Sequence, residues 1–331
     1  MNKVPVMATI EAAYGFAFGQ FLAVLGIVWL PYLLLYGFIF GLPAVLGTNF
    51  IDLMLSPFST NPLPFAPWYM LGVRVLPWIL TAVAQVGVLE RALRLRTGVE
   101  FVYFSLGKPV WRMLGAWLLG IIFFVLALIV ITIAGGVLIA VVTITASSNK
   151  VLMGAAIALL VLAIVVAVFY FVLRLFFLLG AVVVAEKRIG IERTVELSKG
   201  NTGRLFLIAL AILVPVLIIE AIVGGVMLAS SFPALSHLMQ TMPSLHTDEG
   251  QNPLPEVMAH IQTVVHTIFD AFGPYLYVWL AVALLIRVLV AGLFAGAAAH
   301  AYRALVPPGS PEAEHAEPAP PAEPPMQPEP A

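Results

Sequence analysis

The sequence predicts an all-α polytopic transmembrane bundle of six spans, arranged as three helical hairpins with interfacial segments. Three observations predict it. Hydrophobic residues make up 62% of the 331 and charged residues only 10%, where a soluble domain carries about 25% charged. Six runs are each apolar enough and long enough to cross a bilayer core, which takes roughly 20 residues of helix. The polar connections between them alternate between rich and poor in basic residues, with Lys150 the single basic residue of the poor set. Backbone amides left unpaired in lipid are too costly to tolerate, so runs of this kind are read as helices.

The first run, FLAVLGIVWLPYLLLYGFIF, spans Phe21 to Phe40, with a kink expected at Pro31. The second extends from about Tyr69 to Leu89 and contains Pro77. Met113 to Ala146 and Val151 to Glu186 are the third and fourth, joined by SSNK as a tight hairpin. Both exceed the bilayer core and must tilt or project. The fifth runs from about Arg204 to Met227 and the sixth from about Pro274 to Arg303.

Twelve of the sixteen lysines and arginines fall on one side of these spans, and the loops 48–68 and 230–273 contain none. The positive-inside rule places the basic side, and with it both termini, in the cytoplasm. The first 16 residues lack the sections of a cleaved secretory signal. Two units follow: residues 1–305 as the six-helix transmembrane domain, and 306–331 as a tail with ten prolines, five glutamates and no lysine or arginine. Such a composition buries no core and predicts a disordered cytoplasmic extension. In the loop 230–273, residues 255–272 carry apolar positions at helical spacing, which predicts an amphipathic helix on the membrane surface or on the bundle.

Composition also excludes. A net charge of −1 offers no basic surface for nucleic acid, and the absence of cysteine removes thiolate metal sites, disulfides and cysteine nucleophiles. Four histidines lie in the loop 230–273, but His260 and His266 are six apart and no H-E-x-x-H spacing occurs, so no metal site is expected. No catalytic triad, phosphate-binding loop or dinucleotide fingerprint is present, and no cofactor is expected. Nothing in the chain names a protein partner.

Against this background the ionisable residues inside the spans stand out. Arg74, Arg174 and Arg287 each lie in an even-numbered span, 17, 13 and 16 residues before a basic residue at the cytoplasmic end. As continuous helix these offsets are roughly 20 to 25 Å, which predicts one charged layer beyond the midplane. Glu220, 16 residues past Arg204, is the only acidic residue well inside a span and falls in the same layer. A lone charge in the membrane costs about 2.5 to 3.5 kcal/mol on the insertion scale, so pairing is expected. One glutamate leaves two arginines over. They either serve structure, by snorkelling or capping carbonyls, or hold an anion such as a lipid phosphate or a carboxylate, which a guanidinium meets with two donors at once. Gly292, Gly296 and His300 share a helix face at intervals of four, a small-residue pattern that predicts close helix packing. Gly37 and Gly41 carry the same spacing.

The approaches AFGQFLAVLG, SLGKPVWRMLG and LSKGNTGRLF to the odd spans resemble one another and predict three tandem hairpin repeats. The stretch Leu173–Val214, with LSKGN before Arg-Leu-Phe, also resembles a bacterial family. It is similar to the membrane domain attached to some glycerophosphoryl diester phosphodiesterases and to its stand-alone six-span relatives. The resemblance implies a bacterial inner-membrane location. It carries over no catalytic residue, because the soluble barrel that holds the chemistry of those enzymes has no counterpart in this sequence. The expected role is therefore a non-enzymatic, lipid- or anion-interacting membrane protein, with membrane lipids as partners. The alternative is a small-molecule transporter that uses the Arg/Glu layer.

Overall fold

A computed structural model describes residues 2–48, 50–56, 63–96, 102–145, 150–241, 263–264, 266–267 and 273–306. Among them every regular element is a helix. In chain order these are α1 Val6–Gly19, α2 Phe21–Tyr36, a π-helical turn Gly37–Gly41, α3 Leu42–Val45, α4 Phe50–Leu55, α5 Ala66–Ala92 and α6 Lys108–Thr145. There follow α7 Lys150–Phe176, α8 Leu179–Ala185, α9 Ile191–Ser198, α10 Thr202–Thr241, a 3-10 turn Gly273–Tyr275 and α11 Leu276–Leu305. Six stretches are long and apolar enough to cross a membrane, so the chain is an all-α integral membrane protein. Most of the segment read as an amphipathic surface helix, and the tail beyond Val306, lie outside the described residues.

The helices pack most extensively at one end, while a smaller cluster around Leu53, Ala66 and Tyr69 packs α4 against α5 at the other. The continuous core collects the ends of the spans that carry the basic loops, with Ala82 to Ala92 of α5, all of α8, Leu205 to Ile212 of α10 and Val288 to Leu305 of α11 contributing buried residues. Helix α11 is the hub of this basic end and touches α1, α2, α5, α8 and α10. Its sequence explains why. Gly292, Ala295, Gly296, Ala297, Ala298, Ala299 and Ala301 are all buried, and small side chains let several helices approach one axis.

Helix α1 makes the closest of these approaches. An added Cβ on Gly296 would lie 3.1 Å from the Ala13 Cα, and one on Gly292 would lie 3.1 Å from the Ala17 Cα. Thr9 Oγ1 stands 3.0 Å from His300 Nδ1. Thr9, Ala13 and Ala17 thus face His300, Gly296 and Gly292 in a strict antiparallel register. Thr9 spends its single hydroxyl proton on the Pro5 carbonyl at 2.7 Å, so the His300 ring donates from Nδ1.

Gly37 and Gly41 behave differently from the packing pair the spacing predicts. No atom lies within 4 Å of a Cβ added to either. They bound the π-turn instead, where a carbonyl loses its ordinary helical partner. The Tyr69 hydroxyl donates to the Ile39 carbonyl at 2.6 Å. The Phe38 ring stacks on Tyr69 at 5.6 Å and fits against α5 because residue 72 is glycine.

The far ends of the spans are open. In the third and fourth spans only 6% of the apolar window is buried, against 33% and 39% in the first two. The α6–α7 hairpin therefore presents Leu, Val, Ile and Phe outward along most of its length. Lipid is as apolar as these side chains, so the exposure carries no penalty there.

Candidate functional site

A large opening lies in the far half. It is a cavity of about 750 Å³ between α2, the π-turn, α10 and α11, with Phe50 of α4 at its side. On α10 the lining residues recur as Glu220, Val223, Gly224 and Met227, one helical face; on α11 they include Trp279, Leu280, Ala283 and Arg287. Tyr36, Glu220 and Arg287 are, on their respective helices, the lining residues nearest the basic end. The cavity is thus a well with apolar walls and a polar floor of one hydroxyl, one carboxylate and one guanidinium.

Glu220 and Arg287 are both exposed in this arrangement. They share the well, yet among the described residues no ion pair within 4 Å joins them. An intramembrane carboxylate and guanidinium thus line one cavity without a direct ion pair between them.

The sequence placed four residues in one layer, and the structure brings together two. Arg74 is exposed on α5 and lines none of the described cavities. It sits eight residues from the far end of its helix, within reach of the interface for a snorkelling side chain. Arg174 is a correction. The depth estimate assumed unbroken helix from Arg174 to Lys187, but α7 stops at Phe176 and the chain restarts as α8 at Leu179. The Arg174 carbonyl lies 3.4 Å from the Ser198 hydroxyl, at the end of α9. Glu220 is eighteen residues into α10, about 27 Å along the helix axis from its start. Arg174 therefore belongs to the basic half, where its Nε is buried without a hydrogen-bond partner among the described residues.

That half holds polar work the sequence reading did not identify. Glu186, whose side chain is 2% exposed, accepts from Arg188 Nη2 at 2.6 Å and Arg193 Nε at 3.4 Å. The Tyr302 hydroxyl donates to it at 3.2 Å. Glu196 hydrogen-bonds Arg193 at 2.8 Å; that bond, reinforced by Glu186, raises the guanidinium further above its ordinary range. Asn201 accepts from the Val4 amide at 3.1 Å and donates to the Asn2 carbonyl at 3.1 Å. Arg204 donates to the Val4 carbonyl at 2.8 Å. Gly200 supplies the left-handed turn between α9 and α10, with φ of +75°. The LSKGNTGR stretch is thus a clamp that ties the N-terminal segment to the third hairpin.

Two span exits share a further feature. Arg94 after α5 and Lys187 after α8 both adopt positive φ, 59° and 53°, an arrangement few non-glycine residues take. In the far half, His266 lies 3.1 Å from Asp52, while His246 and His260 lie outside the described residues.

These features define an integral membrane protein with a densely packed basic half and a charged well in its far half. Scans against protein-family models, curated proteins and solved structures return no match to the chain.

Proposed function

We propose that the protein is a lipid- or anion-interacting component of a bacterial inner membrane, with its basic half and both termini toward the cytoplasm. Arg287 receives the anionic group of an amphiphile, and the apolar walls of the well receive its body. The single observation that carries this reading is the well itself: an intramembrane guanidinium in an apolar cavity, not paired with the one carboxylate beside it. Its volume of about 750 Å³ lies within the roughly 300 to 1,000 Å³ usual for ligand sites. The likeness of Leu173–Val214 to the membrane domain of glycerophosphoryl diester phosphodiesterases supports a place in envelope lipid handling. The role is binding rather than catalysis.

Native mass spectrometry from mild detergent tests the reading. Wild type should retain an anionic amphiphile that Arg287→Gln loses, while Arg74→Gln and Arg174→Gln keep it. Identical adducts on all four proteins would remove the well as the site. Orientation is tested separately. The chain has no cysteine, so single cysteines at Arg94 and Asp52 should label from opposite sides of the membrane.

A transporter built on the same well is the second reading. A smaller cavity of about 250 Å³ lies further along α11, between Gln85, Phe176, Gly180 and Ala295. Substrate-dependent flux in proteoliposomes, lost in Glu220→Gln, would favour it over retention without flux.

A further inference from the structure

The anion reading explains Arg287 but leaves Glu220 as a liability. A carboxylate on the floor of the same well would repel any purely anionic ligand that approached Arg287. In a medium of low dielectric, that repulsion is far stronger than in water. The cheapest purely structural arrangement would bring the two side chains into direct contact, because each then neutralises the other. They instead line one cavity without meeting within 4 Å.

We infer that the ligand is a zwitterion, with an anionic phosphate held by Arg287 and a primary ammonium held by Glu220. This deepens the proposed function and rests on it. Charge balance selects this class over its rivals. A net-neutral zwitterion satisfies both charged residues and adds no net charge to the membrane interior. An anion satisfies only Arg287 and a cation only Glu220. A primary ammonium offers three donors, of which the carboxylate takes one or two. The Tyr36 hydroxyl, also on the floor, is an acceptor for another. The guanidinium grips phosphate through paired donors. A quaternary ammonium has no N–H to give and would forfeit the bond to Glu220. The apolar walls, with Phe40, Trp279 and Leu280 among them, suit an attached hydrocarbon body. The same headgroup chemistry comes either as an aminophospholipid or as a water-soluble glycerophosphoethanolamine, and the two sources differ in their need for those walls.

The experiment is a lipid competition on the full chain in mild detergent, read by native mass spectrometry. Phosphatidylethanolamine, phosphatidylcholine and phosphatidylglycerol are supplied in equal amounts. Wild type should retain phosphatidylethanolamine about tenfold over the other two, a discrimination that needs only about 1.4 kcal/mol. Glu220→Gln, nearly isosteric, should abolish that preference and raise phosphatidylglycerol retention. Arg287→Gln should lose all three, and Arg287→Lys should recover part of the phosphate binding as a point charge. Thermal melting of each variant confirms that the basic half remains folded. If wild type takes phosphatidylglycerol as well as phosphatidylethanolamine, and Glu220→Gln changes nothing, the zwitterion inference is overturned while the anion reading stands. If wild type retains none of the three and resembles Arg287→Gln, the anion reading itself falls. Displacement of labelled phosphatidylethanolamine by glycerophosphoethanolamine makes the headgroup the sufficient ligand. Failure to displace it makes the aminophospholipid the ligand.

Discussion

The two halves of this bundle treat the same kinds of residue in opposite ways. At the basic end the glycines of α11 press against α1 backbone, and Glu186 is enclosed by Arg188, Arg193 and Tyr302. At the far end a Cβ on Gly224 would meet nothing within 4 Å among the described residues, and Glu220 lines a well with no ion pair among them. Small residues close one half and open the other; a carboxylate locks one half and is left available in the other. The contrast separates the part of the molecule that holds the fold from the part that is free to hold something else.

The strongest way to break this comparison is to remove the locked carboxylate. Glu186→Ala removes the acceptor shared by Arg188, Arg193 and the Tyr302 hydroxyl, and of these Arg193 retains its bond to Glu196. The hydrogen bonds lost with the buried carboxylate are worth about 2 to 3 kcal/mol, because Arg188 faces solvent and Arg193 keeps Glu196. The variant should melt well below wild type in detergent or fail to purify as a monodisperse species. A melting temperature equal to wild type would mean that water reaches the cluster and that the basic half is less sealed than its burial implies.

Next in size is the α1–α11 seam. Gly296→Leu must push against the Ala13 Cα, which an added Cβ would already approach to 3.1 Å. Overpacking of this kind typically costs about 1 to 3 kcal/mol, and backbone yields less readily than a side chain. The variant should melt earlier, and α1 should become accessible to protease. Asn201→Ala acts on the same half with a smaller effect, about 1 to 2 kcal/mol, because it removes two hydrogen bonds to the N-terminal segment. Its distinguishing readout is faster hydrogen exchange at Val4 without a change at α11.

What the sequence made legible follows the same division. The six spans were readable because apolar length is a local property, and the Gly292–Gly296–His300 face because helical spacing is local too. The partners of that face were not readable. Thr9 and His300 are 291 residues apart, and Val4 and Asn201 are 197 apart. The break between α7 and α8 was hidden inside an apolar run, LRLFFLLGAVVVA, that reads as continuous helix. Its location follows from tertiary contacts, with Ser198 near the Arg174 carbonyl and Leu89 against Gly180. Glu220 and Arg287, on unbroken helices, line one cavity, whereas the depth of Arg174 does not follow from continuous helix because α7 stops at Phe176. Tyr36 was overlooked on the floor of the well because a tyrosine in an aromatic-rich span gives no local sign of the charges it faces.

The smallest expected effect on stability is also the sharpest test of the contrast. Gly224 stands one turn above Glu220 on the cavity face of α10, and no atom lies within 4 Å of a Cβ placed there. Gly224→Leu should therefore change the melting temperature little, with a cost within about 0.5 kcal/mol, as for a substitution that meets no packed neighbour. Replacing a helical glycine even favours the helix slightly. The same side chain projects into the space the ligand would occupy, so retention of lipid should fall while the fold stays intact. Leucine at position 296 and leucine at position 224 then form a matched pair, one destabilising and one not. If Gly224→Leu instead melts as early as Gly296→Leu, the far half is packed in the membrane. In that case the well closes in the bilayer, and Glu220 and Arg287 must find each other without a ligand between them.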